Sequence, residues 1–336
     1  MIPRTLPAWE RPVLASVAEV VGETEHVRTS SAAIETVADW MAFETTFEPP
    51  SGGPAGPFDW GDDTNDLIDA TMLKASLDFA FTDFDTSTKY EVDYQGRHWS
   101  DSEAMFASIH QALAAGVPML EGDYQASVRR ADLAQIFRGN IEMPMLEERV
   151  EILNEVGARL VANHGGRFHR FIQSCPQVMY AEGDGVLERL IAEFPRFDDV
   201  SAYKGREVVI YKLAQLALWS LHLAVGPGKG FSLGDLDNMT AFADYIVPVG
   251  LRVMGILEYS EDLERRILEG DLIPRDSDEE IEIRAHTVYA TALLTEAINQ
   301  RRGEGRRLVI PQIDYRLWSA YHATTWPHHL TRTVMY

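Results

Sequence analysis

FDDVSAYKGREVVIYKLAQLALWSL, residues 197–221, is the stretch whose reading decides the fold. Apolar residues recur at helical spacing from Val208 through Val209, Leu213, Leu216, Leu218, Trp219 and Leu223, with Gly205 as the turn before them. The spacing predicts a helix, a tight turn and a long buried helix. Lys212 lies inside that apolar run, between Tyr211 and Gln215. A lysine there must snorkel to solvent, pair with an acid, or work with a shifted pKa. The run GPGKG at 226–230 ends the helix, and TAFADYIVPVGL at 240–251 then sets Asp244 and Tyr245 among apolar neighbours. An aspartate beside Phe242, Ala243, Ile246 and Val247 is costly to bury unless it is paired or used.

Outward from this centre the chain reads as mainly α with one small antiparallel sheet. Two short amphipathic helices are expected at Pro12–Val21 and 31–43, the second opened by Thr29, Ser30 and Ser31 as cap candidates. EPPSGGPAGPFDW at 48–60 cannot hold regular structure and reads as a loop or lid. A helix over 65–74 runs into LDFAFTDFD at 77–85, which alternates like a strand, and TKYEVDYQGRHW at 88–99 alternates again about Gly96. These segments, near 76–100, are expected to form the protein's only sheet. Helices follow from the Ser100/Glu103 capping pattern to Gly116, up to Phe137, from Pro144 onward, through Phe171, and from Gly185 to Phe194. Beyond Asp244 the pattern gives a helix to Leu257, helices capped by Ser260 and Ser277, and a last one near Ile313–Tyr321. The division expected is an N-terminal part, 1–62, and one larger domain, 63–336, with its hairpin near 186–224.

Charge narrows the function. With 30 Lys+Arg against 52 Asp+Glu, the formal net charge is -22, and a protein that grips DNA or RNA needs a basic footprint to neutralise phosphates. No direct nucleic-acid binding is expected; a free nucleotide needs only a local basic pocket. The hydrophobic share of 46% is enough to fill a core. Cys175 is the single cysteine, so no internal disulfide forms and a reducing cytoplasm fits. Glu10 and Arg11 interrupt the apolar character of the N-terminus, so no signal peptide is read, and Lys212 and His222 mark the apolar run after Ile210 as core rather than membrane span. Neither GxGxxG nor GxxxxGK[ST] occurs, and His164/His169 and His328/His329 lack metal-site spacing with a carboxylate, so no cofactor and no metal are expected.

The order of helical hairpin, lysine and aspartate resembles helix-hairpin-helix base-excision glycosylases. A closer resemblance lies in YKLAQ (211–215), MTAFADYIVP (239–248), EIEIRA (280–285) and PMLEERVEILNEVG (144–157), which are similar to strings of the queuosine salvage family. The tail PHHLTRTVMY (327–336) resembles that family's end. The resemblance covers most of the chain from about Asn65 to Tyr336. It implies a helical glycosylase-like body and hydrolysis of the N-glycosidic bond of queuosine 5'-phosphate, releasing queuine. In the family, 78–82 reads approximately Asn-Phe-Cys-Phe-Trp; here Asp78, Ala80 and Thr82 depart while Phe79 and Phe81 stay.

Breaking a ribosyl C–N bond passes through an oxocarbenium-like state, which a carboxylate near the anomeric carbon stabilises. Asp244 is the candidate by the match at FADY; Lys212, facing the site by resemblance, would pair with Asp244 or Asp199 or contact the nucleotide. Queuine is a 7-deazaguanine and cannot be protonated at position 7, so contacts to its other edges must help it leave. Phe79, Phe81, Asp83, Trp99 and Tyr245 are the residues placed around the base, although large apolar side chains mostly fill interiors. Arg332, His329, Lys204 and Arg284 are the candidates for the 5'-phosphate. Two other readings stay open: a DNA glycosylase of similar architecture, and a queuine carrier without catalysis.

Overall fold

The computed structural model describes residues 2–49 and 58–336, so most of the Pro/Gly-rich run at 48–60 lies outside the described residues. The N-terminal part forms α1 (Pro12–Val21), β1 (Val27–Thr29) and α2 (Ser31–Met41), and Ser30 caps α2 by accepting the Ala33 N–H. Asp63 caps α3 (Thr64–Ser76), accepting the N–H groups of Asn65 and Asp66. Then come the paired strands β2 (Glu91–Tyr94) and β3 (Arg97–Ser100), and the helices α4 (Asp101–Ala114), α5 (Gly122–Gln125), α6 (Arg130–Ile136), α7 (Leu146–His164), α8 (Phe168–Ser174) and α9 (Val186–Glu193).

The deciding stretch departs from the helical reading at its start. Val200–Tyr203 and Arg206–Val209 are strands β4 and β5 of an antiparallel hairpin, with Val200 opposite Val209 and Tyr203 opposite Arg206. Lys204 and Gly205 at its tip have φ of 48° and 83°, the left-handed pair that matches the twist of the flanking strands. The β-branched Val208 and Val209 fit a pleated, half-buried surface better than a helix start. The helix α10 (Lys212–Ala224) begins only after Tyr211, whose φ is 50°.

The sheet expectation is corrected twice. LDFAF is not a strand: Ala80 is left-handed at φ 47°, and the segment's carbonyls are taken by a buried guanidinium instead of a ladder. Arg149 of α7 donates to the carbonyls of Leu77 (2.5 Å), Phe79 and Ala80 (2.9 Å), and its Nε to that of Pro144 (3.1 Å). The sheet is also not single, because the described residues form three separate two-stranded pairs. α11 (Val247–Val253) stops short of Leu257, which enters β6 (Leu257–Tyr259) and pairs antiparallel with β1. The overall class, mainly α with small antiparallel sheets, is as the patterning implies.

Ser260 caps α12 (Glu261–Glu269), Ser277 caps α13 (Asp278–Arg301), and α14 (Ile310–Tyr321) follows. α13 is buried along nearly its whole length, including Glu282, His286 and Glu296. Such polar groups survive burial only when bonded. Glu282 accepts the N–H groups of Glu25, His26 and Val27 and the Tyr203 hydroxyl; Glu296 accepts the Leu6 N–H and Trp9 Nε1. The N-terminal residues are thus fastened to α13 by two buried carboxylates. None of the described helices is long and apolar enough to cross a membrane.

Candidate active site

Met239 and Phe242 pack into the core around α3, α7 and α10; Ala241 and Ala243 into the core under α1 and β5; Val247 into that of α2, α13 and α14. The segment between α10 and α11 therefore threads the junction of three apolar cores, where alternate side chains find different partners. Asp244 sits half-buried at that junction. Its Oδ1 accepts the N–H groups of Ile246 and Val247, each at 2.8 Å, where α11 begins. Among the described residues no hydrogen bond engages Oδ2, which leaves one carboxylate oxygen for chemistry. Burial raises the Asp244 carboxyl above its ordinary range, and the charge of Lys212 together with the two N–H donors pulls against that rise.

Lys212 is 5% exposed at the first turn of α10, and its charge bears on Asp244 and on Asp314 of α14. The snorkelling alternative is thereby removed. Asp314 was not singled out by sequence, although it carries the signal that exposed Asp244: an acid among Ile310, Ile313 and Leu317 on an otherwise apolar helix face.

Beside this cluster lies a small cleft lined by residues 80–82, Phe84, Tyr245, residues 328–331 and Tyr336. Tyr245 stacks on His328 at 4.5 Å between ring centroids. Of the residues chosen from sequence, Phe81, Tyr245 and His329 line the cleft and Asp244 adjoins it through Tyr245. Asp101 and Asp78 act on Tyr245 as nearby negative charges, and Asp101 Oδ1 is buried without a hydrogen-bond partner. Asp101 and His328 are further members the sequence reading missed; nothing in their local patterns marks them.

Other chosen residues fall elsewhere, for identifiable reasons. Phe79 is fully buried between Arg149 and Arg196, whose guanidinium carbons lie 4.1 and 5.0 Å from its ring, so it backs the wall. Asp199 and Arg284 hold each other in a buried bidentate pair at 2.5 and 3.1 Å. Burial works against an ionised Asp199, but the Arg284 charge and hydrogen bonds prevail and hold it below the usual carboxylate range. Arg284 also lies 4.7 Å over the Tyr336 ring, so this pair braces the cleft floor and is not free to hold a phosphate. Trp99 joins a separate aromatic cluster, 4.9 Å from Phe58, with its Nε1 donating to the Tyr94 carbonyl. Asp83 is spent on its own turn, accepting from Thr86. Lys204, at the exposed hairpin tip, pairs with Glu25 at 2.9 Å. Arg332 is exposed, ion-paired with Glu148 and 5.8 Å from the Phe84 ring, at the outer rim of the cleft.

Two buried histidines make the structure acid-sensitive. Burial pushes His329 down to about 3 and His286 down to about 4 from the ordinary 6.5; His286 bonds Thr24 and Thr29 at 3.0 and 2.7 Å. Both are neutral when folded and protonate more readily when unfolded, so stability present above pH about 6.5 is lost as pH falls toward these lowered values. Thermal melts between pH 7 and 4 should show a falling Tm, and His286→Gln should flatten the fall; identical slopes would contradict it.

No group of three or more His, Cys, Asp or Glu among the described residues is arranged to hold a metal ion. The sequence model of the queuosine salvage protein family matches residues 59–336. A protein of Sphaerobacter thermophilus named queuosine 5'-phosphate N-glycosylase/hydrolase is 33% identical over 327 residues, covering 96% of this chain and 97% of its own. Proteins of the same name from Mus musculus and Schizosaccharomyces pombe are each 30% identical, over 79% and 70% of this chain and 80% and 70% of theirs.

Proposed function

The chain belongs to the queuosine salvage protein family, and from that membership we propose that it hydrolyses the N-glycosidic bond of queuosine 5'-phosphate. The water oxygen bonds to the anomeric carbon as the C–N bond breaks, the electron pair of that bond leaves with the base, and a proton from the water ends on the base nitrogen, so that queuine and ribose 5-phosphate are released. The observation that carries the reading is Asp244: one carboxylate oxygen is fixed by two backbone N–H groups while the other accepts no hydrogen bond from the described residues, next in the chain to Tyr245, which lines the cleft. A carboxylate held in that way meets positive charge developing at the sugar without having to reorganise. The charge of Lys212 offsets part of the rise that burial imposes on it.

Phe81, Phe84, Tyr245 and His328 line the cleft with rings of the kind that pack against a base. Asp78 and Asp101, the latter with its Oδ2 paired with Lys89 at 2.6 Å, are the negative charges near Tyr245 that we assign to the amine of the queuine side chain. Arg332 at the rim, once it exchanges its exposed ion pair with Glu148 for the ligand, is the cation we assign to the 5'-phosphate. The substrate is a free nucleotide rather than a nucleic acid, in keeping with a net charge of -22. Incubation of the protein with queuosine 5'-phosphate, followed by chromatography, should yield queuine and ribose 5-phosphate in equal amounts. Recovery of unchanged nucleotide at every pH between 5 and 9 would refute it.

A further inference from the structure

Asp314 has no place in the reaction described so far, yet it is 4% exposed and lies within the electrostatic reach of the reacting carboxylate. Its Oδ1 accepts the Phe242 N–H at 2.8 Å, two residues before Asp244. Among the described residues no arginine, lysine or histidine stands within ion-pair distance of it, whereas Asp199 is answered by Arg284 and Glu282 by a row of N–H groups. Asp314 receives one donor and Asp244 receives two.

We propose that Asp314 is a positioning residue for this hydrolysis, pinning the segment that carries Asp244 and doing so as a neutral acid that leaves the charge of Lys212 to Asp244. The inference rests on the function proposed above. Two buried carboxylates and one lysine cannot all be ionised cheaply in one apolar junction, and the acid with fewer donors keeps its proton. Burial and then the Asp244 charge drive the Asp314 carboxyl upward, with Lys212 only partly offsetting them. The other charged groups on the surrounding elements are committed elsewhere. Arg252 of α11 holds Glu264, Arg284 of α13 holds Asp199, Glu296 of α13 holds Leu6 and Trp9, and Arg316 of α14 itself holds Glu44. Of the charged groups packed around it, Asp244 and Lys212 are therefore the ones that bear on its ionisation, beside burial, which raises it, and the Phe242 N–H, which lowers it. Once Asp314 loses its proton at high pH, its charge competes for Lys212 and repels Asp244, so activity declines on the alkaline side.

Three measurements on the full chain test this. Asp314→Ala should lower kcat about 30-fold with KM changed less than about 3-fold, because an anchor on the reacting carboxylate is lost while the cleft walls stay. Asp314→Asn keeps the acceptor for the Phe242 N–H without a titrating proton; it should recover most of the alanine loss and remove the alkaline decline of kcat/KM. Infrared difference spectra of the wild type at pH 7 should contain a protonated-carboxyl band that Asp314→Asn lacks. An asparagine variant no better than alanine, an alkaline limb left in place, or the absence of that band would each overturn the proposal. The infrared band needs no substrate, so a wild type inactive on queuosine 5'-phosphate would refute the proposed function while the band still decides the state of Asp314.

Discussion

Asp244→Asn turns over queuosine 5'-phosphate about 10³-fold more slowly than the wild type, with a dissociation constant changed by less than about 5-fold. Asparagine keeps an oxygen for the Ile246 and Val247 N–H groups, so the start of α11 and the cleft beside it are retained. What it removes is the negative charge, which is needed only as the sugar becomes cationic. An interaction made only in the transition state lowers kcat and kcat/KM together and spares binding. Titration calorimetry and single-turnover rates on both proteins give the two numbers. A non-catalytic carrier gives binding in both and turnover in neither; a loss expressed wholly in affinity would make Asp244 a binding group and sink the mechanism. The wild-type pH profile carries a second mark of this carboxylate. Because burial raises it, the acid limb of kcat/KM should fall above the ordinary aspartate range, activity being lost as pH drops and Asp244 gains its proton.

Asp199→Ala destabilises the fold by about 3–5 kcal/mol, since removing one member of a buried pair leaves the other charge without compensation. Arg284 is fully buried, with Asp199 as its bidentate partner and Glu280 3.8 Å away. Asp199 also accepts the Lys212 backbone N–H at 3.3 Å, and its carbonyl accepts the Ile210 N–H at 3.0 Å. One aspartate thus joins the hairpin, the head of α10 and α13. Urea unfolding should show a lowered midpoint at an unchanged m-value. The double variant Asp199→Leu with Arg284→Met should cost less than Asp199→Ala alone, because it removes both charges. A single-variant loss below about 1 kcal/mol would mean that the arginine finds another partner, and the bracing role would be withdrawn.

Helix positions were legible wherever a cap and an apolar stripe coincide. Ser30, Ser260 and Ser277 each accept the N–H expected of them, because capping is a local bargain between neighbours; Ser100 stands at the N-cap of α4 as expected, but its side chain makes no capping bond there. Strands were less legible. LDFAF alternates as a strand does, but Arg149, some seventy residues away, takes its carbonyls, and a distant guanidinium leaves no trace in local periodicity. Val208 and Val209 fit helical spacing by number, yet the left-handed turn at Lys204 and Gly205 commits them to a hairpin.

The site divides in the same way. By itself the sequence determined that this chain is mainly helical, that its formal net charge is -22, and that Asp244 and Lys212 stand among apolar sequence neighbours; each of these is read from composition or from residues close together in the chain. Only the tertiary structure decided which polar groups share one junction. Asp314 joins Asp244, and His328 joins Tyr245, whereas Lys204, Asp83 and Trp99 are drawn to nearer partners. The reason is physical: a charge buried in an apolar core is settled by whichever group packing brings within a few ångströms, and packing is a property of the whole chain.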